Sequence, residues 1–155
     1  MHENISDPYQ DPQEMKGTYC LVLSCTEKFS TVIGKLRLIQ FDPGGYAYIG
    51  SAMKGLKSRL TRHLADKKKL YWHIDYLLNS GSIRLDYILY KESTIKIECP
   101  TAKLVAQRFH GCPGFGSSDC GCSSHLFYFN KDKMHDLFEL LAKKSFRIST
   151  PKGWA

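Results

Sequence analysis

Two tyrosines, an arginine and a histidine are spaced so that one sheet and one helix could gather them. Tyr19 lies in Gly17-Thr18-Tyr19-Cys20-Leu21-Val22-Leu23, and Tyr48 in Tyr46-Ala47-Tyr48-Ile49-Gly50-Ser51-Ala52. Arg59 and His63 follow on the next predicted helix, one turn apart. Two phenols, a guanidinium and an imidazole form a set suited to breaking phosphodiester bonds. A planar guanidinium clamps a phosphate oxygen. An imidazole shuttles a proton or orients a hydroxyl. A phenol with its ordinary pKa of about 10 needs positive neighbours before it can help activate water.

Those neighbours are present. Lys54, Lys57, Arg59, Arg62, Lys67, Lys68 and Lys69 stand against the single acid Asp66, so most of the chain's net charge of +7 surrounds the tyrosine motif. Charge runs are commonly solvated helix faces. This one has a single sign and leads into Tyr71, Trp72 and His73, the electrostatic footprint expected for nucleic acid. The expected contacts are Lys54, Lys57, Arg62, Lys67, Lys68, Lys69 and His73, with nucleic acid as partner. A membrane is not expected, since the chain lacks an apolar face to insert and an apolar run near the roughly 20 residues that span a bilayer. With no secretory pattern at the N-terminus, a cytoplasmic location is expected.

The elements that must position these groups can be read from periodicity. Residues 1–15 are polar, with two prolines, and are expected to form a flexible arm. Gly17 to Cys25 is apolar on both alternating sets, which suits a central strand. Phe29–Ile33 and Leu36–Phe41 flank Gly34-Lys35 as a hairpin, and Asp42-Pro43-Gly44-Gly45 turns the chain into a strand over Tyr46–Ser51. A helix is predicted from Gly55 to about Lys67, with Leu56, Leu60 and Leu64 as its buried stripe. On its wheel His63 falls about 20° from Leu56 and Arg59 about 60°, placing both at the stripe's edge. Further helices are expected over Trp72–Leu78, Pro100–Phe109 and Asp132–Lys144, with strands at Ile83–Tyr90 and Leu126–Phe129. The class is α+β: a small antiparallel or mixed sheet flanked by helices. One domain over residues 16–130 is followed by a C-terminal helix and basic tail, 131–155.

In this order the motifs resemble a known family. Gly17-Thr18-Tyr19 and Tyr48-Ile49-Gly50 look like the two halves of the GIY-YIG endonuclease signature. Arg59 falls at the family's helix arginine, and His63 where it carries tyrosine or histidine. Trp72-His73-Ile74-Asp75-Tyr76-Leu77-Leu78 and Gly114-Phe115-Gly116-Ser117-Ser118-Asp119-Cys120 resemble its Uri-type branch. That branch comprises small prokaryotic proteins, long labelled a domain of unknown function and sometimes fused to an endonuclease III-like repair enzyme. The resemblance spans residues 17–129. It implies hydrolysis of DNA with Mg²⁺ or Mn²⁺, catalysis by Tyr19, Tyr48, Arg59 and His63, and a metal-binding glutamate near a helix start.

Glu98 best matches that glutamate, although it lies just before the predicted helix at Pro100; a shifted register puts the position at Lys103. The two tyrosines are 29 positions apart, so an extra hairpin must be inserted between them. Ser51 stands where many relatives carry lysine. On these readings the chain is a metal-dependent endonuclease acting on branched or damaged DNA in repair. The alternative is a catalytically inactive nucleic-acid-binding module serving a repair-enzyme partner. A structural protein with Tyr19 and Tyr48 as plain cross-strand core aromatics is the third reading.

Six cysteines without a secretory signal favour burial or metal over disulfides. Cys20 and Cys25 sit in or beside the apolar strand and suit burial. Cys112, Cys120, Cys122 and His125 offer four ligands for tetrahedral zinc. The other reading is a glycine-rich loop packed by small thiols, with Asp119 or His125 facing the nuclease cleft.

Overall fold

A computed structural model describes residues 15–155. The expected arm therefore lies outside the described residues except for Met15, which packs against the core and accepts the Leu56 N–H at 2.7 Å. Eight strands and four helices follow: β1 (Gly17–Cys25), β2 (Phe29–Val32), β3 (Leu38–Phe41), β4 (Gly44–Ala52), α1 (Leu56–Leu64), α2 (His73–Leu78), β5 (Arg84–Glu92), α3 (Glu98–Ala106), β6 (His110–Gly111), β7 (Leu126–Phe129), α4 (Met134–Ala142) and β8 (Arg147–Ser149). The expected α+β class is what is observed. Six strands form one antiparallel sheet in the order β6-β7-β4-β1-β5-β8, and β2 and β3 form the small inserted hairpin.

The double apolar pattern of β1 has its cause in three layers. Tyr19, Leu21 and Leu23 face one core with Leu56 and Leu60 of α1 and Ile74 and Leu77 of α2. Cys20 and Val22 face a second core with Ala102 and Val105 of α3 and Leu137 and Leu141 of α4. All nine residues of β1 are buried. The free thiols of Cys20 and Cys25 are buried, as expected, and burial raises both.

Several boundaries differ from the sequence reading, each for a local reason. The hairpin turn is a 3₁₀ turn over Gly34–Leu36 rather than a tight two-residue link, with Ile33 fully buried beneath it. Helix α1 ends at Leu64, not Lys67: Ala65 turns to an extended backbone, so Lys67, Lys68 and Lys69 lie in a loop. Helix α3 starts at Glu98 and ends at Ala106. Helix α4 is preceded by a separate 3₁₀ turn at Lys131–Lys133. The basic tail contributes β8 to the sheet edge, and Trp154 returns to the first core. Its ring N–H donates to Ser149 Oγ at 2.8 Å, while its carbonyl accepts from Lys57 Nζ at 2.9 Å and Thr61 Oγ1 at 3.2 Å.

Candidate functional site

The antiparallel register brings the two tyrosine motifs together at one end of the sheet, where β1 begins and β4 ends. Tyr19 is opposite Gly50, and Tyr48 is opposite Leu21. Both rings point to the first core, with centroids 6.5 Å apart. A side chain at position 50 would lie 2.5 Å from the Tyr19 hydroxyl, so only glycine leaves room for that phenol. Gly116 is under a milder constraint, since a Cβ there would lie 3.0 Å from the Tyr48 ring, and its φ of +71° also favours glycine.

Around this pair opens a cleft of about 360 Å³. Tyr19, Tyr48, Arg59, Trp72, Glu98 and Lys54 line it, together with Lys96, Cys99, Asp119 and Cys120. Arg59 donates to the Ser51 carbonyl at 2.9 Å and stands 4.3 Å from the Trp72 ring centroid. That cation–π contact is worth about 0.5–2 kcal/mol, depending on desolvation. It fixes the guanidinium over the cleft.

His63 is not at the stripe's edge. It is 3 % exposed, under Trp72, with Nε2 2.7 Å from the Tyr19 hydroxyl. Its Nδ1 has no hydrogen-bond partner. Burial lowers its pKa to about 3, which keeps the imidazole neutral at pH 7. A bare buried acceptor costs less than a bare buried N–H. The proton therefore belongs on Nε2, donated to Tyr19. The phenols meet a similar fate. Burial raises Tyr19, and the Arg59 charge that pulls it down is too weak to compensate. Burial also raises Tyr48, with Tyr19 and Glu98 adding to the effect. Positive neighbours act in the expected direction, but desolvation wins, and both tyrosines are neutral hydroxyls.

Glu98 is the first residue of α3, inside the helix rather than before it. Its Oε1 accepts from Ser51 Oγ at 2.6 Å, and its Oε2 lies 2.6 Å from His125 Nδ1, though without hydrogen-bond alignment. Burial opposes its charge, yet the His125 and Ser51 contacts outweigh this and hold the carboxyl below its ordinary range. Lys103 lines a different groove, with Lys91 and Lys144, so the shifted register does not reach this cleft.

The basic residues divide into two sets. Lys54, Lys67 and Lys69 are exposed. Arg62 instead makes a two-pronged bond to the buried Asp75, at 2.8 and 2.9 Å, and donates to the Lys69 carbonyl. Lys57 is tied to Trp154, and Lys68 Nζ to the His63 carbonyl at 2.7 Å. His73 accepts the Gly116 N–H on Nδ1 at 2.8 Å, which holds the glycine-rich loop, and burial lowers its pKa.

The expected zinc set is corrected at one position. Cys99, Cys120, Cys122 and His125 bring their ligand atoms within 4.8 Å of one another and could hold a metal ion such as zinc. Cys112 is outside this group: its backbone pairs with Leu126, and its thiol packs against the first core. Cys99 takes its place because it follows Glu98 at the start of α3. Its neighbour in sequence is the only linear sign of this, since the other ligands come from a loop more than 20 residues away. Of the two loop residues expected at the cleft, Asp119 lines it and His125 is buried behind it.

Among the described residues, no helix is long and apolar enough to cross a membrane. A family model described as a domain of unknown function, DUF123, matches residues 18–147, and the chain belongs to that family. Neither the curated proteins nor the solved structures gave a match.

Proposed function

We propose that this member of the DUF123 family is a metal-dependent endonuclease of the GIY-YIG type, Uri branch, hydrolysing phosphodiester bonds in branched or damaged DNA. The observation that carries the reading is the convergence of Tyr19, Tyr48, Arg59 and Glu98 on one cleft, with Lys54 beside them. Both half-motifs and the glutamate come from separate elements, and nothing in a plain core requires an arginine and a carboxylate beside two phenols.

The donor set suits a hard cation. Glu98 is ionised, its side chain is 15 % exposed, and the residue lines the cleft with Ser51 and the two phenols. Mg²⁺ and Mn²⁺ are commonly held by one or two carboxylates while keeping several waters. Such an ion on Glu98 would lower the pKa of a bound water and offset charge on phosphate.

The chain's own groups then have defined work. Arg59, fixed by Ser51 and Trp72, presents its remaining N–H groups to a phosphate oxygen. Tyr19 receives a hydrogen bond from His63, keeps a lone pair that orients a water, and donates its own proton to a phosphate oxygen. Tyr48 supplies a second neutral hydroxyl. His63 holds Tyr19 in place and does not itself need to change charge. Lys54 draws the DNA backbone to the cleft.

The test is Mg²⁺- or Mn²⁺-dependent cleavage of branched, nicked and duplex DNA. Arg59→Ala and Glu98→Gln are expected to lower the rate at least 100-fold with the fold intact by circular dichroism. Unchanged cleavage in both variants overturns this site. A second reading, a binding module without catalysis, is favoured by one observation: both Glu98 oxygens already have protein partners. Steeply salt-dependent binding of every DNA form, without any cutting, would select it.

A further inference from the structure

We propose that Cys99, Cys120, Cys122 and His125 form a tetrahedral zinc site, and that Glu98 is its outer partner through His125. The ion would thereby fix the carboxylate at the cleft rim.

The spacing of the ligand atoms fits zinc. With Zn–S of about 2.3 Å and Zn–N of about 2.0–2.1 Å, a tetrahedral site has S···N edges of about 3.6 Å and S···S edges of about 3.8 Å. Here His125 Nε2 lies 3.5 Å from Cys120 Sγ and 3.9 Å from Cys99 Sγ, and the four ligand atoms lie within 4.8 Å of one another. Small movements close the site. Three thiolates and an imidazole select zinc over Mg²⁺ and Mn²⁺, which prefer oxygen. All the cysteines in the group are free thiols, so the cluster is not an open disulfide pair.

The backbone holds the ligands in place from two sides. Cys99 is set by the first turn of α3. His125 donates its N–H to the Phe115 carbonyl at 2.8 Å, and its own carbonyl accepts from Ile49 of β4 at 2.9 Å. The stretch before His125 is exposed from Ser118 to Gly121 and has no helix or strand, so little apolar packing holds it. A bound ion would link this loop to α3, two segments distant in sequence. All four positions would be filled by protein, the mark of a structural rather than a catalytic zinc. On binding, each thiol gives up its proton to solvent, and three thiolates take the charge of the ion.

The link to Glu98 follows from the two nitrogens of His125. Nε2 faces the sulfurs, and Nδ1 faces Glu98 Oε2. A histidine that ligates zinc through one nitrogen commonly offers the other to a carboxylate, which fixes its tautomer and ring. The same contact works in reverse: a ring locked by the ion holds the carboxylate where Ser51 also reaches it. The zinc site stands apart from the endonuclease reading; only the meaning of its coupling to Glu98 rests on it.

The experiment uses the full chain, reduced, loaded with Zn²⁺ and dialysed, with metal read by mass spectrometry. One ion per chain is expected. Cys99→Ser and His125→Ala are expected to weaken zinc at least 100-fold, while Cys112→Ser keeps the stoichiometry of the wild type. Glu98→Gln is expected to keep one ion with affinity lowered 10- to 100-fold. Co²⁺ in the wild-type chain provides a readout independent of variant folding: an intense visible spectrum with thiolate charge transfer is expected. No retained zinc, a faint octahedral cobalt spectrum, or loss of metal in Cys112→Ser equal to that in Cys99→Ser overturns the site. Unchanged affinity in Glu98→Gln overturns the coupling. None of these readouts involves DNA, so a chain that binds zinc and cuts nothing loses the endonuclease reading alone.

Discussion

His63 illustrates how burial redirects a residue's chemistry. Its imidazole is neutral in the folded chain, with a pKa lowered to about 3 by burial, whereas an unfolded histidine titrates at about 6.5. Between these values the unfolded chain binds more protons than the folded one. Stability is therefore fully present above pH 6.5 and falls as the pH drops toward 3, by up to about 1.4 kcal/mol per unit. His73, also lowered, adds to this, while His125, which the Glu98 and Cys122 contacts hold up against burial, opposes it. Comparison with His63→Gln isolates the residue. The wild type is expected to lose more urea resistance between pH 7 and pH 5 than His63→Gln does. Equal losses would mean that His63 is not buried neutral in solution. The types and order of Tyr19, Tyr48, Arg59 and His63 were readable in the sequence, but their protonation was not. Charge is written in the sequence, whereas desolvation depends on Trp72 and the sheet lying over the ring.

At the scale of elements, Arg62 and Asp75 join α1 to α2. Asp75 has no exposed side-chain area and accepts both guanidinium N–H groups and the backbone N–H of Tyr71 and Trp72, at 2.9 and 2.8 Å. It thus caps α2 and anchors α1 at once. These contacts outweigh burial and hold its carboxyl below the ordinary range. Removing Arg62 leaves a buried carboxylate without its counter-charge. Arg62→Ala is expected to cost about 3 kcal/mol in urea unfolding, and Arg62→Lys to recover little, because an ammonium cannot make the two-pronged contact. A cost under about 0.5 kcal/mol would show the pair to be incidental. Both helices are legible in the sequence, but this bond is not. Arg62 reads as one more charge in a basic run, and only the packing of α1 beside α2 shows its partner. Cys99 escaped notice for a related reason, since a ligand set assembled from a helix start and a loop has no linear spacing to recognise.

Across the whole molecule, the basic surface is smaller than the sequence suggests. Lys57, Arg62 and Lys68 are engaged within the fold, leaving Lys54 exposed at the cleft and Lys67 and Lys69 exposed on the loop after α1. If DNA is the partner, the salt dependence of binding should follow this division. Replacing Lys54, Lys67 and Lys69 together by alanine is expected to reduce the slope of log K against log salt by up to about 2.7. Lys57→Ala is expected to lower thermal stability and leave the slope unchanged. A slope that responds to Lys57 as strongly as to Lys54 would contradict the division. The layered architecture was legible because β1 is apolar on both faces, which only a sheet covered on both sides requires. The edge strand β8 was not, because its three residues are too few to show a period and are held by pairing with β5.

The glycine beneath Tyr19 makes the two half-motifs a single steric unit. Position 50 is a mould for a ring that enters the chain 31 residues earlier. A combinatorial library that varied position 50 alone would return glycine for as long as position 19 held an aromatic ring, and would accept larger residues only after that ring was removed. The two segments thus constrain each other as a knob and its socket do, and neither can drift alone.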